Sequence, residues 1–264
     1  MTSDSKPAAA TATSGSGDVV RSLELLWGTG EPATRGPRRG LTLDRIVTTA
    51  VEVADAEGLD AVSMRRLSAD LGVGTMSLYR YVPGKAELLD LMLDRVRGLM
   101  LDSQPPDPCD WRAAVDALAH AELGLYRRHP WLLKVNQARS VLGPSTLRGL
   151  ELALTGLRGT GLSDPELISL IIAVQSFVTG IARMEAETVE AAKETGVSDE
   201  EFWTRQEPFL DRAMRTGDYP VMAALSRDAF SPDFDHFAFG LRTLLDGLEA
   251  RVARRAEGRP DDRP

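Results

Sequence analysis

Between Val62 and Leu89 the chain reads VSMRRLSADLGVGTMSLYRYVPGKAELL, and few backbone arrangements accommodate that order of residues. Ser63 is placed to cap a short helix, its hydroxyl accepting from a backbone N–H one turn in. Leu67 and Leu71 follow on one face at four-residue spacing. Gly72 stands where the chain must turn, because glycine tolerates left-handed backbone angles. Val73 is expected to plug the turn into the core. A second helix of about two turns is predicted from Thr75 to Tyr81, with Leu78 and Val82 inward and Thr75, Ser77, Arg80 and Tyr81 outward. Two short helices about a glycine turn form the helix-turn-helix signature, in which the second helix enters a DNA major groove.

The flanks complete a small domain. Leu43, Ile46, Val47, Ala50, Val51 and Ala54 recur at helical spacing, which predicts a helix from about Leu43 to Glu57 with one apolar stripe. Thr42 suits its N-cap and Gly58 its end. Downstream, Val82-Pro83 breaks the motif's second helix. Gly84 opens another helix, carried by Lys85, Leu88, Leu89, Met92, Val96 and Leu99. Lys85 then lies at a helix N-terminus, where free N–H groups attract anions, so phosphate contact is expected of it.

This arrangement, over roughly Thr42 to Met100, resembles the TetR family of one-component transcription regulators. The resemblance implies an all-α chain: a three-helix helix-turn-helix domain followed by a helical effector-binding and dimerisation domain. It further implies a homodimer on a palindromic double-stranded DNA operator, a small-molecule effector, and no cofactor. Carried over onto matching positions, the DNA-contacting residues are Ser63, Met64, Arg65, Thr75, Met76, Ser77, Tyr79, Arg80, Tyr81 and Lys85. By chemistry, Arg65, Tyr79 and Lys85 suit phosphates, which fix register without reading sequence. Thr75, Met76 and Ser77 are short or apolar and suit base edges and the thymine methyl. Arg80 suits guanine or a phosphate equally.

Charge agrees in its distribution. The net charge of −8 disfavours nucleic acid for the whole chain, but residues 35–85 hold 8 Lys/Arg against 6 Asp/Glu and are the net-positive block. Clustering matters more than the total. Residues 1–17 are almost without apolar side chains and are expected to be disordered. Asp18–Trp27 suits a short amphipathic helix, and residues 28–40 read as a Gly/Pro linker ending in Arg35, Arg38 and Arg39. That linker suits either a DNA-reaching arm or a solubilising spacer. The expected divisions are 1–40 as tail and linker, 41–101 as DNA-binding domain, 102–256 as effector domain, and 257–264 as a disordered end.

Beyond Leu101 a Pro-rich connector leads into further helices: Asp110–His129, Pro144–Leu157, a long apolar one from Asp164, Glu200–Met214 and Phe234–Val252. No strand pattern stands out. The text at Gly124–Leu133, the LGP at Leu142–Pro144 and GIARMEAE at Gly180–Glu187 resemble the C-terminal domain of tetracycline-repressor-type members. That resemblance implies dimerisation through about Asp164–Glu187 and Phe234–Val252. Polar or aromatic candidates for the effector pocket are His120, Tyr126, Trp131, Asn136, Gln137, Arg139, Gln175 and Arg183. Gln137–Ser140 stand where tetracycline binders carry a metal-coordinating histidine, and three scattered histidines give no zinc pattern; no metal is expected.

No phosphate loop, nucleophile elbow or HExxH motif occurs, so an enzyme is the weaker rival, beside a helical ligand-binding protein without DNA activity. One cysteine, Cys109, permits no internal disulfide and fits a reducing cytoplasm. No signal peptide is indicated, and no segment is expected to approach the ~20 apolar residues of a membrane span.

Overall fold

The computed structural model describes residues 12–29, 41–100, 110–226 and 228–256. The two ends, the basic linker with Arg35, Arg38 and Arg39, and the connector with Cys109 lie outside the described residues. Eleven α-helices run through the described residues: α1 (Val19–Trp27), α2 (Leu43–Glu57), α3 (Met64–Asp70), α4 (Thr75–Tyr79), α5 (Lys85–Gly98), α6 (Trp111–Arg128), α7 (Pro144–Gly156), α8 (Asp164–Thr195), α9 (Asp199–Met214), α10 (Pro220–Ala223) and α11 (His236–Ala256). Short 3-10 segments cover Leu59–Ala61 and Pro130–Lys134.

Local rules account for the first domain. Thr42 caps α2 by accepting from the Arg45 N–H at 3.1 Å, and Gly58 ends the helix. The predicted stripe of α2 is buried from Ile46 to Ala54. Gly72 adopts φ +66°, a left-handed turn that a side chain would strain. Around it, Leu67, Leu78, Val82, Leu88, Met92 and Val96 are shut from solvent. Burial of such aliphatic side chains contributes about 1.5–3 kcal/mol each.

This first core does not stop at residue 101. Leu125, Trp131, Leu132 and Val135 belong to it, as do the half-buried Ala12, Leu25 and Leu26. A second core joins α6, α8 and α11 through Val115, Ala119, Leu123, Val174, Val178, Phe237 and Leu241. α8 opens with Ser163, whose N–H and hydroxyl both donate to Glu166. Arg251 and Arg255 of α11 close on the same carboxylate at 2.8 and 2.7 Å. These donors, the Ser163 hydroxyl first, hold the Glu166 carboxyl down at about 2.

Three expectations need correction. Residues 12–17 are ordered: β1 (Ala12–Thr13) pairs in parallel with β2 (Val135–Asn136), a two-residue bridge too short to leave a strand pattern in the sequence. Next, α8 is long and apolar enough to cross a membrane by length and composition, with an 18-residue window of mean hydropathy 1.8. Finally, α4 is five residues long rather than seven, with Arg80 as its C-cap.

The N-terminal segment is fastened by buried carboxylates of α5. Asp90 accepts from the Ser14 hydroxyl at 2.9 Å, the Gly15 N–H at 2.9 Å and the Ser22 hydroxyl at 2.7 Å. Glu87 accepts from the Asp18 N–H at 2.9 Å, and the Trp27 indole donates to the Leu142 carbonyl at 3.2 Å. One helical turn later, Asp94 accepts from the Ser145 and Thr146 N–H groups at 3.2 and 2.9 Å, capping α7 from another helix. Gly143 lies close beside it, and a Cβ there would force the Asp94 carboxylate to shift.

Asp90→Ala would strand three buried or half-buried donors, so it is expected to lower the unfolding free energy by about 2–4 kcal/mol in urea denaturation. A change below about 0.5 kcal/mol would mean that the segment contributes nothing to the fold.

Candidate nucleic-acid interface and effector site

The helix-turn-helix is rigid from within. Ser63 caps α3 by accepting from the Arg66 N–H at 3.2 Å. Arg66 is then held by Glu57 at 2.7 Å and Asp70 at 2.8 Å, which raises its already high pKa and keeps it from outside partners. The Ser68 hydroxyl donates to the Arg65 carbonyl at 2.8 Å and pairs with the Thr75 hydroxyl at 3.1 Å, locking α3 to the start of α4. Gly74 precedes α4 without a side-chain cap, and its carbonyl accepts from the Ser77 N–H at 2.8 Å.

Of the ten predicted DNA contacts, seven stand where a groove or backbone could reach them. Met76 is 77% exposed and Tyr79 44%; Ser63, Arg65, Arg80 and Lys85 are exposed and Ser77 is half-buried. Lys85 opens α5, and its ammonium donates to the Leu59 carbonyl at 3.2 Å, which leaves other donors for an anion. Three placements differ. Met64 is buried at 7% exposure, because it shares the inner face of α3 with Leu67 and Leu71. Tyr81 lies beyond the last turn of α4, half-buried, with its hydroxyl donating to the Leu41 carbonyl at 3.1 Å. The Thr75 hydroxyl is engaged with Ser68 and is half-buried.

Among the effector candidates, Tyr126, Gln137 and Arg183 join one polar cluster between α5, α6, α7 and α8. Gln137 accepts from Arg97 at 2.7 Å, and Arg97 also donates to Thr146 at 3.3 Å. The Tyr126 hydroxyl pairs with Thr179 at 3.1 Å, and Arg183 donates to the Leu133 carbonyl at 3.2 Å. Glu122 completes the cluster: it is 9% exposed, and its Oε2 has no hydrogen-bond partner. Burial pushes its carboxyl up to about 7, against the opposing pull of Arg97 and the Tyr126 hydroxyl.

Sequence reasoning missed Glu122, Arg97, Thr146 and Thr179. A signal existed for Glu122, an acid in register with Val115, Ala119 and Tyr126 on the apolar face of α6.

The other candidates sit elsewhere. His120 is exposed and meets Phe237 edge-on at 5.0 Å, where α6 approaches α11. Trp131 is buried and its indole donates to Asp55 of α2 at 2.7 Å; His129 reaches the same oxygen at 2.7 Å. Trp131 therefore anchors the two domains to each other. Asn136 lies in β2, its side-chain oxygen turned to the Ala138 N–H. Arg139 is exposed, and Gln175 shares the exposed side of α8 with Ile168 and Ile172, away from the buried Val174 and Val178.

The Glu122 shift makes a pH prediction. A carboxyl whose folded pKa is raised from 4.5 to about 7 keeps its proton in the folded chain after the unfolded chain has lost it. Stability is therefore highest below the lower value and declines as pH rises towards the upper one, by at most about 3 kcal/mol. Urea denaturation across that window is expected to show a steeper decline for the natural chain than for Glu122→Gln. Parallel pH profiles would show that Glu122 does not titrate in this range.

Residues 46–92 match the profile described as "Bacterial regulatory proteins, tetR family", and residues 104–252 match "Tetracyclin repressor-like, C-terminal domain". The chain is 58% identical over 256 residues to the HTH-type transcriptional repressor DrrR1 of Streptomyces coeruleorubidus, covering 96% of this chain and 94% of that one. Its fold is similar to that of ActR from Streptomyces coelicolor in complex with actinorhodin, with TM-score 0.63, 30% identity, and coverage of 81% and 97%. It is likewise similar to ActR with (S)-DNPA, with TM-score 0.58, 30% identity, and coverage of 82% and 100%. The exposed reading helix, the helical domain behind it and these matches over nearly the whole chain lead to one conclusion: this protein belongs to the TetR family of helix-turn-helix transcriptional regulators.

Proposed function

We propose that this regulator is a homodimeric repressor that leaves a palindromic operator when a small organic molecule binds its C-terminal domain. The observation that carries this reading is α4, a short exposed rod set on a core that runs without a break into the effector domain. Resemblance to a named repressor and to a protein solved with actinorhodin and with (S)-DNPA supports both halves of it.

Exposed apolar side chains on α8 and α11 support the pairing of two copies. Ile168 and Ile172 on α8, with Phe239 and Leu244 on α11, are all more than a third exposed. A helix apolar on two sides needs cover on both, and a second subunit supplies it better than water does. That role also accounts for the apolar length of α8 without a membrane. In such a dimer the two α4 helices enter successive major grooves about 34–36 Å apart. Arg65, Tyr79 and Lys85 hold phosphates, Met76 and Ser77 meet base edges, and Arg80 serves either a guanine or a phosphate. Effector binding beside Arg97 shifts α5, which begins at Lys85, and alters the separation of the reading helices. By linkage the operator weakens effector binding to the same degree.

Gel shifts with the DNA upstream of the chain's own coding region test this directly. Lys85→Ala is expected to weaken binding to all duplexes alike and to reduce the salt slope by about one. Ser77→Ala is expected instead to change which base pairs are preferred, by about 1–3 kcal/mol at the affected position. Met64→Leu, a buried change, is expected to leave DNA affinity within about threefold, since volume-conserving core swaps cost little. A chain that ignores duplex DNA at low salt would overturn the reading.

A further inference from the structure

Glu122 is a buried acid that the fold does not explain. Its Oε2 lies away from water with no hydrogen-bond partner among the described residues. A group left in that condition costs free energy and persists where something else binds it. The nearest guanidinium, Arg97, already donates to Gln137 at 2.7 Å and to Thr146 at 3.3 Å. The Tyr126 hydroxyl pairs with Thr179 at 3.1 Å and also hydrogen-bonds the Glu122 carboxyl. The other buried residues of α6, Val115, Ala119, Leu123 and Leu125, are all apolar. The arrangement leaves one carboxyl oxygen of Glu122 buried and without a hydrogen-bond partner, although Arg97 and the Tyr126 hydroxyl act on the carboxyl as a whole.

We propose that Glu122 is the recognition point for the ammonium group of the effector, and that the effector class is an apolar organic molecule carrying a protonated amine. This rests on the reading of the chain as an effector-responsive repressor. An amine supplies the donor and the positive charge that Oε2 lacks, and a charge-assisted hydrogen bond in a desolvated site is stronger than a neutral one. An anionic group would meet the carboxylate with the wrong sign. The raised proton affinity of Glu122 fits as well, since an amine can dock on the acid and draw its charge out near neutral pH. Arg97, which feels that charge, sits on the same helix as Lys85, so occupancy at Glu122 bears on a helix that faces DNA.

The test uses three fluorescent probes that differ in one group: 9-(aminomethyl)anthracene, 9-anthracenemethanol and 9-anthracenecarboxylate. Their binding to the full chain is followed by fluorescence anisotropy near neutral pH. The natural protein is expected to favour the amine over the alcohol by about tenfold or more, and the carboxylate is expected to bind weakest. Glu122→Gln is expected to abolish the preference for the amine, with circular dichroism reporting that the variant is folded. Equal binding of amine and alcohol, an undiminished preference in Glu122→Gln, or no binding of any probe would each overturn the assignment. If the variant fails to fold, the order of the three probes on the natural protein decides by itself. Retardation of the upstream DNA by ligand-free natural protein is scored separately. Intact DNA binding without an amine preference sinks only the role of Glu122, whereas loss of DNA binding sinks the regulator reading beneath it.

Discussion

A buried helix that carries carboxylates must find donors for them, and α5 is such a helix. Glu87, Asp90 and Asp94 are each under a tenth exposed. Taking a carboxylate out of water costs several kcal/mol unless N–H or O–H groups replace the lost hydration. The replacements come from the chain ahead of the DNA-binding domain and from the first turn of α7. The requirement thus settles where residues 12–29 lie, where α7 begins and how closely its glycine approaches. It also ties the helix that opens at Lys85 to the effector domain.

A second tie lies on the other side of the first domain. One oxygen of Asp55 near the end of α2 meets both the His129 ring and the Trp131 indole at 2.7 Å. Leu125, Trp131, Leu132 and Val135 then extend the first core across the boundary between the domains. Interiors this tightly packed transmit displacements instead of absorbing them. A shift of α6 at Glu122 has two physical routes to the reading helix, through Arg97 on α5 and through Asp55 on α2.

What could be read in the sequence was what depends on neighbours in the sequence. The caps at Thr42 and Ser63, the turn at Gly72 and the stripe of α2 obey local rules, and the structure has them at those residues. Met64 and Tyr81 went astray because a helix end leaves orientation to the packing behind it, and both turned inward. The N-terminal segment was opaque for a different reason. Ser14 and Ser22 find Asp90 across 76 and 68 residues, and small polar side chains with distant partners look no different from a solvated tail. The polar cluster around Glu122 was half legible: Tyr126, Gln137 and Arg183 stood out as polar residues in apolar text. Glu122 was hidden among the many acids that helices keep on their wet sides.

The shortness of α4 limits how much information one subunit can extract. Five residues make a rod about 7.5 Å long, which spans only about two base-pair steps at about 3.4 Å each. A genome offers roughly a million or more competing positions, and so small a reading window cannot single out one address among them. In the proposed dimer, discrimination is then spread over repeated half-sites and over the bendability of the duplex between them. In that proposed dimer, a point change in α4 would blur the choice of address twice over, once in each half.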